Sequence, residues 1–493
     1  MGLSDLTDKE WFARLNDRRL KQAENAMEWW PYYENEQPLH YVARILREQE
    51  DAFPPLLVDW SELVTDALEE RLDVEWFRLG EDEDASDDLE RVWQANDLDE
   101  ESGQAHLASL VTGESYVMVG PGDDVPLVTV ETAEEVAVEI DPRTRQVVAA
   151  LKVWRDDWVR PTEEHAVLYL PGRMVEFEKG QPYHSESLDW YESAVIEQRS
   201  SLVPVFPMFN RRRRGRKDGQ RGRSDLVALK PIVDGANQTA TNMMAAIEHH
   251  AVPRKAAVNV SPEDFVDESG KQIPPWKAAI GAIWAIPPLR QMRQGEQVPQ
   301  PQIQQFSASD LRNFHDSIKQ LAQIAASLYG LPPHFMGFTS ENPASADAIR
   351  ASESRLIKRA ERRQRTFGGT WEQAMRAAWA MLGNDPSKAV ALETVWRDPA
   401  TPTKASMIDA AVKAVGGPLI DVEQGREDAG YTRGQQKRMA ERDAQRRQRV
   451  TADVRAIDMQ GVPSAASILG ADGSGTASGQ SARAANGSAA TAR

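Results

Sequence analysis

The sequence contains no cysteine. This absence excludes disulfide bridges, zinc–thiolate sites, iron–sulfur clusters and cysteine nucleophiles. No apolar run approaches the ~20 residues that a membrane-spanning helix needs, and residues 1–15 lack the basic and apolar regions of a signal peptide. We therefore expect a protein with no membrane partner that is made and used in a cytoplasm.

The motifs of common enzymes are missing as well. There is no G-x-x-x-x-G-K-[ST] phosphate loop, no G-x-S-x-G elbow, no H-E-x-x-H, and no G-x-G-x-x-G between a strand and a helix. The pair His249-His250 suits a helix C-terminus better than a shared metal, because adjacent helical residues point about 100° apart. We expect no enzyme, no catalytic residue, no metal site and no cofactor, although a metal-dependent nuclease built from converging carboxylates stays an alternative.

Charge divides the chain unevenly. The net charge is −18. Residues 1–200 hold 47 acidic and 18 basic residues, a net of −29, so residues 201–493 carry +11. Because an acidic surface repels DNA, any contact with nucleic acid should come from the second part of the chain.

Hydrophobic periodicity changes once in the first half of the chain. Residues 1–110 are predicted to be helical, because LSDLTDKEWFARLNDRR and DWSELVTDALEERLD place apolar residues at three- and four-residue spacing. The acidic run 81–88 is predicted to be a solvated loop. From about residue 113 to residue 180, apolar and polar residues alternate between turn sequences such as PGDD and DPRT, which predicts an antiparallel sheet.

Two further helices flank a short mixed segment. An apolar stripe predicts a helix over 224–250 with Ser224 as its N-cap, although Pro231 weakens the pattern. Proline-separated pieces such as KAAVNV, GAIWAIPP and QIQQF predict a small α/β insertion over 251–307. A second helix is predicted over 308–330, and Gly330 with the following prolines ends it.

The rest of the chain is predicted to be helical up to its last residues. A loop, residues 331–344, leads into a long helical pattern from 345 to 382 that is interrupted only at Gly368 and Gly369. More helix is expected over 400–457. Residues 461–493 are rich in Gly, Ala and Ser and are predicted to be disordered.

Two basic segments stand out in the second part. The first is the stretch FNRRRRGRKDGQRGRSDL, predicted to be a glycine-broken loop, with Arg211, Arg212, Arg213, Arg214, Arg216 and Lys217. It matches a nuclear localisation signal only weakly; acidic protein surfaces are the favoured partners, with DNA phosphates as the alternative. The second, residues 350–365, is interpreted as a solvated helix that pairs with acidic neighbours, again with phosphate contact as the alternative.

The order of these parts resembles the portal proteins of tailed bacteriophages. VPVFPMFN is similar to the family's proline-rich approach to its first stem helix. GRSDLVALKPIVDGANQTATNMM is similar to the family's pattern G-x-S-D followed by D-x-x-N-x-x-x-x-N, and YGLPPHFMGFTSENPASADAIRASESRL to its passage into the long wing helix. The resemblance covers about residues 40–450.

The resemblance implies an α+β subunit with a helical stem, an α/β clip, a mixed wing with an antiparallel sheet and a helical crown, assembling as a ring, usually of twelve chains. The implied segments are the N-terminal helices and wing at 1–223, stem helices at 224–250 and 308–330, the clip at 251–307, the tunnel loop at 331–344, the returning wing helix at 345–399, the crown at 400–460 and the tail at 461–493.

The resemblance also implies a role. The ring is a conduit for double-stranded DNA at one capsid vertex during packaging and ejection, without sequence preference. Its partners are the terminase large subunit, the major capsid and scaffolding proteins and the head–tail adaptor; its place is the virion, and the host cytoplasm during assembly. The implied stem residues are Ser224, Asp225, Asn237 and Lys319, and the expected DNA-facing residues of the tunnel loop are His334, Phe335, Met336, Phe338 and Asn342. A non-enzymatic nucleic-acid-binding protein that uses the 211–223 basic patch is the main alternative.

Overall fold

The computed structural model describes most of the chain in separate ranges. These are residues 6–39, 56–79, 83–155, 164–179, 190–198, 200–212, 222–251, 255–259, 283–286, 300, 302–305, 311–337, 346–400 and 402–459. By its internal contacts the chain divides into two compact units, Met1–Thr401 and Pro402–Arg493. Each unit is described by itself.

Helices dominate the start of the first unit, as predicted. They are α1 (Asp8–Tyr33), α2 (Trp60–Glu69), α3 (Glu83–Ala95) and α4 (Leu98–Thr112). Thr7 and Glu10 form a capping box that fixes the start of α1: the Glu10 backbone N–H donates to Thr7 Oγ1 at 3.4 Å, and the Thr7 N–H donates to Glu10 Oε2 at 2.7 Å.

Two predictions within residues 1–110 are wrong. The first concerns β1 (Val74–Leu79), which the structure shows as a strand where helix was expected. It pairs antiparallel with β13 (Leu392–Trp396), a partner more than 300 positions away that no local pattern could indicate. The second concerns the acidic run 81–88, which is largely the start of α3 rather than a loop; carboxylates favour the first turn of a helix because its N-terminus carries partial positive charge.

The predicted antiparallel sheet is present as two sheets and extends beyond residue 180. One is a meander of five strands, β4 (Val136–Ile140), β5 (Val147–Arg155), β6 (Glu164–Leu170), β7 (Arg173–Lys179) and β8 (Trp190–Glu197). The other has the order β3–β2–β9, with β2 (Glu114–Gly120), β3 (Leu127–Thr132) and β9 (Val205–Phe209). Strand β9 lies at a sheet edge, a position that tolerates Pro207 because an edge strand can spare an N–H.

The helix predicted over 224–250 begins with a 3₁₀ turn, Asp225–Ala228, and continues as α5 (Lys230–Ala251). Pro231 is the second residue of α5, where a missing N–H breaks no intrahelical bond, so it starts the helix instead of weakening it. The predicted apolar stripe is buried from Leu226 to Ala240, and Ile247 near the distal end is exposed.

The predicted insertion contains all three expected strands. They are β10 (Lys255–Val258), β11 (Ile283–Ile286) and β12 (Gln302–Gln305), in the order β11–β10–β12. Strand β10 runs parallel to β11 and antiparallel to β12. Between these strands, only Asn259 and Gln300 belong to the described ranges.

The remaining helices of this unit are α6 (Arg312–Tyr329) and α7 (Ala346–Met381), with a 3₁₀ turn at Pro333–Met336 between them. Helix α7 confirms the long helical pattern predicted from 345 to 382, and it runs through Gly368 and Gly369. A Cβ on Gly368 would lie 3.1 Å from Trp396 Nε1, so this glycine lets β13 pass close to the helix.

The core of the first unit joins helices and sheets. Its largest apolar cluster includes the fully buried Phe367 and Trp371 of α7 and Leu229 and Val233 at the start of α5. A second cluster packs Trp11, Phe12 and Leu15 of α1 against the five-stranded sheet. The largest cluster brings β9, α5, α6 and α7 together at one junction.

The second unit is helical, as predicted. It contains α8 (Lys404–Gly416), α9 (Val422–Asp428) and α10 (Arg433–Met459). The tail predicted to be disordered lies outside the described residues. In the described part of the whole chain, no helix combines the length and apolarity needed to cross a bilayer.

Candidate functional site

One buried carboxylate lies where the basic stretch meets the first long helix after it. The hydroxyl oxygen of Ser224 accepts a hydrogen bond from the Leu226 N–H at 3.0 Å, which confirms Ser224 as an N-cap. The cap places Asp225 in the first turn with only 2 % of its surface exposed. A charge buried this deeply needs partners of opposite sign.

Three arginines from distant parts of the chain supply these partners. Arg211 Nε lies 2.7 Å and Arg363 Nη2 3.2 Å from Asp225 Oδ1, and Arg359 Nη2 lies 3.0 Å from Oδ2. The Asn210 amide also donates to Oδ1 at 3.0 Å. We call Asp225 with Arg211, Arg359 and Arg363 the Asp225 cluster.

Electrostatics keep the Asp225 carboxylate charged. Burial alone would raise its pKa, but the guanidinium groups of Arg363, Arg211 and Arg359 and the Asn210 amide outweigh burial and hold the pKa below its usual range. The cluster contains three cations and one anion, so its net charge is positive. A local positive excess remains at the junction.

The end of α6 is tied to the same cluster. The Tyr329 hydroxyl donates to the Asp225 backbone carbonyl, and Arg359 Nη1 donates to the Tyr329 carbonyl at 2.7 Å. The Arg359 guanidinium also lies over the Tyr329 ring, 4.7 Å from its centroid. Burial, followed by the Asp225 charge, raises the pKa of Tyr329 to about 12, so its hydroxyl keeps its proton and remains a donor.

A glycine ends α6 beside this contact. Gly330 has φ +71°, and a Cβ there would lie 2.7 Å from Arg355 Cγ. Arg355 Nη1 donates to the Ser327 carbonyl at 2.7 Å, which satisfies one of the last carbonyls of α6. The direction in which residues 331–336 leave α6 is therefore fixed by α7.

Residues 331–336 carry the tunnel-loop prediction. Leu331 is buried, and Phe335 and Met336 are half-buried against the main core cluster, while His334 is exposed. Phe335 borders a cavity of about 360 Å³ whose wall includes Asp59, Glu62, Asp66 and Glu70. Phe338 and Asn342 lie outside the described residues, so only His334 is placed here as a side chain open to solvent.

The other predicted stem residues differ in burial. Asn237 is fully buried, and its Oδ1 accepts a hydrogen bond from the Val58 N–H at 2.7 Å, which ties the segment before α2 to α5. Lys319 is exposed on α6. Neither burial nor exposure by itself assigns these residues to a channel or an interface.

The basic stretch is described only at its two ends. Arg211 belongs to the Asp225 cluster, and the Arg212 guanidinium lies 5.2 Å from the centroid of the Phe209 ring. Arg213, Arg214, Arg216 and Lys217 lie outside the described residues. For Arg211, the expected acidic partner is within the same chain.

Sequence reasoning missed how Asp225 is paired. The basic run 350–365 was predicted to be a solvated helix that pairs with acidic neighbours: Arg359 and Arg363 do form such pairs, but solvation is wrong for Arg363, which is buried in the core. Arg359 and Arg363 are four residues apart, so both lie on one face of α7. This spacing is a signal in the sequence that could have indicated a shared partner. Their shared acidic partner is more than 130 positions away in sequence, which a local pattern does not show.

One buried histidine has a structural role in the core. His106 is fully buried, accepts a hydrogen bond from Trp371 Nε1 at 2.9 Å, and burial lowers its pKa to about 3. Among the described residues, no group of three or more His, Asp or Glu side chains could hold a metal ion.

Known proteins resemble this chain over most of its length. The family model of phage portal proteins, SPP1 Gp6-like, matches residues 13–448. The portal protein of Mycobacterium phage D29 is 35% identical over 406 residues, which is 79% of this chain and 78% of that protein. The portal protein of Mycobacterium phage L5 is 34% identical over 391 residues, 76% of each chain.

A solved structure of lower similarity is a chain from the neck of an empty gene transfer agent particle. It is 15% identical, with a TM-score of 0.44, over 82% of this chain and 93% of that chain. The family model and the two mycobacteriophage relatives show that the chain belongs to the phage portal protein family.

Proposed function

We propose that this chain assembles into a ring, usually of twelve copies, that forms the DNA channel at one vertex of a phage capsid. The observation that carries the proposal is membership of the portal family across residues 13–448. Double-stranded DNA passes through the ring into the capsid during packaging and leaves by the same route during ejection. The virion is therefore the place where the chain acts.

The Asp225 cluster supports this proposal because it joins the two proposed stem helices to the rest of the first unit. It ties β9, the start of α5, the end of α6 and the first half of α7 into one junction. Helices α5 and α6 are the proposed stem, and residues 331–344 the proposed tunnel loop. A rigid junction at the base of the stem would hold that loop at a constant position while DNA moves past it.

Other proteins would supply the chemistry and the connections. The family is structural, and an ATP-hydrolysing terminase large subunit is the proposed motor, docked at the clip formed by residues 251–307. Major capsid and scaffolding proteins would surround the ring during assembly in the host cytoplasm, and a head–tail adaptor would replace the motor later. A wall that bound DNA tightly would slow its passage, because each phosphate contact adds affinity, so each chain should contact phosphates through only a few cations.

Ring formation is the direct test. Purified protein should form particles with a central channel in negative-stain micrographs, and their mass by mass photometry should match a ring of 55.0-kDa chains. A monomer that persists at high concentration, both alone and with scaffolding protein, would contradict the proposal. A chelator should change nothing, whereas a chelator-sensitive nuclease activity would favour the alternative enzyme.

The nucleic-acid-binding alternative receives less support from the structure. Of the basic patch that it uses, Arg211 is already bound to Asp225. A protein of that class would bind DNA as a monomer or dimer, so the same mass measurement separates it from a ring.

A further inference from the structure

The last helix of the second unit carries a stripe of arginines. Arg438, Arg442, Arg446 and Arg449 of α10 are separated by four, four and three residues, so they lie within about 80° of one another around the helix and span about 16 Å along it. All four side chains are exposed. Four cations thus share one side of three helical turns.

The carboxylates of the described residues do not neutralise this stripe. Asp443, three residues before Arg446 on α10, forms its ion pair with Arg426 of α9 and acts on Arg446 only through its charge at longer range. Within the residues that the structure describes, none of the four arginines forms an ion pair with a carboxylate. Their charge is therefore available to a partner outside this unit.

Among the residues that the structure describes, the middle of α10 packs against nothing else in its unit. Every side chain from Ala444 to Ala452 is exposed on all sides of the helix, whereas Gln435, Met439 and Asp443 of the first half are partly buried. A single helix without tertiary contacts is only marginally stable in water. The exposed segment should therefore gain stability from a bound partner.

The chemistry of the stripe favours nucleic acid over protein. Protein interfaces are built around apolar and aromatic anchors, and Val450 is the one large apolar side chain exposed between residues 444 and 452. Protein–DNA interfaces are more polar and strongly positive. Arginine also binds phosphate oxygens with two N–H groups at once.

We propose that α10 binds double-stranded DNA through Arg438, Arg442, Arg446 and Arg449, which contact backbone phosphates without reading the sequence. This inference rests on the proposed function, in which DNA passes through an assembly of this chain. The stripe would be a DNA contact distinct from the tunnel loop, since it belongs to the second compact unit.

The test measures the binding of the full chain to a fluorescein-labelled 30-base-pair duplex by fluorescence anisotropy at several salt concentrations. In the variant with all four arginines changed to Gln, affinity at 0.1 M salt should fall about tenfold or more, and the slope of log K against log salt should become shallower by up to about 3.6. A second duplex of different sequence should give the same result.

Two further variants serve as controls. Changing all four arginines to Lys keeps the charge and should retain most of the affinity. The matched control removes four exposed cations from the first unit by changing each to Gln, at Lys21, Arg91, Arg143 and Arg145, and should leave the salt slope unchanged. Far-ultraviolet circular dichroism checks that the Gln variant keeps its helix.

The outcomes separate this inference from the proposed function. Intact rings that lose DNA affinity in the Gln variant support the inference, and equal affinity in the Gln variant and the matched control overturns it. A Gln variant that loses ring assembly but keeps DNA affinity also overturns it, because α10 would then bind an acidic surface of another copy. Wild-type protein that binds DNA but never forms rings would contradict the proposed function and leave the arginine assignment standing.

Discussion

At the scale of the residue, Asp225 links segments of the first unit that are far apart in sequence. Its carboxylate is surrounded by three guanidinium groups and an amide, and its backbone carbonyl accepts from Tyr329. Sequence analysis identified Asp225 and the arginine-rich neighbourhood, but not the pairing, because the guanidinium groups come from residues 14 positions before it and more than 130 after it.

Replacing Asp225 by Asn should destabilise the first unit. The change keeps the shape but leaves three arginines facing one another without an anion, so the free energy of unfolding should fall by about 3 kcal/mol. Urea unfolding followed by tryptophan fluorescence measures the change. Asp17→Asn is the control, since it removes an exposed partner of Lys21, and it should leave the unfolding curve nearly unchanged; equal effects of both variants would contradict a special role for Asp225.

The same residue predicts a pH dependence. Because the pKa of Asp225 in the folded chain is below its usual value, its stabilising contribution is complete above the unfolded value of about 3.9 and is lost as the pH falls towards the folded pKa. The difference in unfolding free energy between wild type and Asp225→Asn should be constant above about pH 5 and shrink below about pH 4. A difference that grows on acidification would show that the carboxylate is not preferentially charged in the folded chain.

At the scale of the element, helices and strands that are determined by local spacing were predicted correctly, whereas a strand that depends on a distant partner was not. The three strands of the insertion and helices α5 and α6 follow from local spacing, and all are present. Strand β1 is stabilised by pairing with β13, which is far away in sequence. The local pattern does not show this partner, and the strand was therefore predicted to be helical. Helix α7 follows from its long helical pattern, and burial against the core outweighs the low helix propensity of the two glycines within it.

The two adjacent glycines of α7 allow a matched comparison. A Cβ on Gly368 would lie 3.1 Å from Trp396 Nε1 and 3.6 Å from Thr394 Cβ, whereas nothing lies within 4 Å of a Cβ on Gly369. Gly369→Ala should therefore raise the free energy of unfolding by about 0.5–1 kcal/mol through helix propensity. Gly368→Ala should gain less or lose stability, because the Trp396 side chain of β13 must shift by a few tenths of an ångström.

Thermal unfolding of the two variants under identical conditions measures this difference. The melting temperature of Gly369→Ala should be above those of wild type and of Gly368→Ala. Equal stabilisation by both substitutions would show that β13 adapts without strain and that Gly368 is not required for its close approach.

At the scale of the whole molecule, the uneven charge of the chain is the feature that sequence analysis described best. It located a net of −29 in residues 1–200 and +11 in the rest. It could not say which cations are used within the chain and which are free for partners, since that depends on the fold. The structure removes Arg211, Arg359 and Arg363 from the second group and leaves the arginine stripe of α10 in it.

The remaining cations of the basic stretch and those of α10 should have separable roles. Residues 213–217 are predicted to bind acidic surfaces of the same or a neighbouring copy, so Arg213→Gln with Arg214→Gln should weaken ring assembly, measured by mass photometry, more than DNA affinity. The four-arginine variant of α10 should do the reverse. Because surface ion pairs are screened by salt, the assembly defect of the first variant should be mimicked in wild type by raising the ionic strength. An equal loss of assembly and of DNA affinity in both variants would show that the two basic segments act together, and it would contradict the separate roles assigned to them.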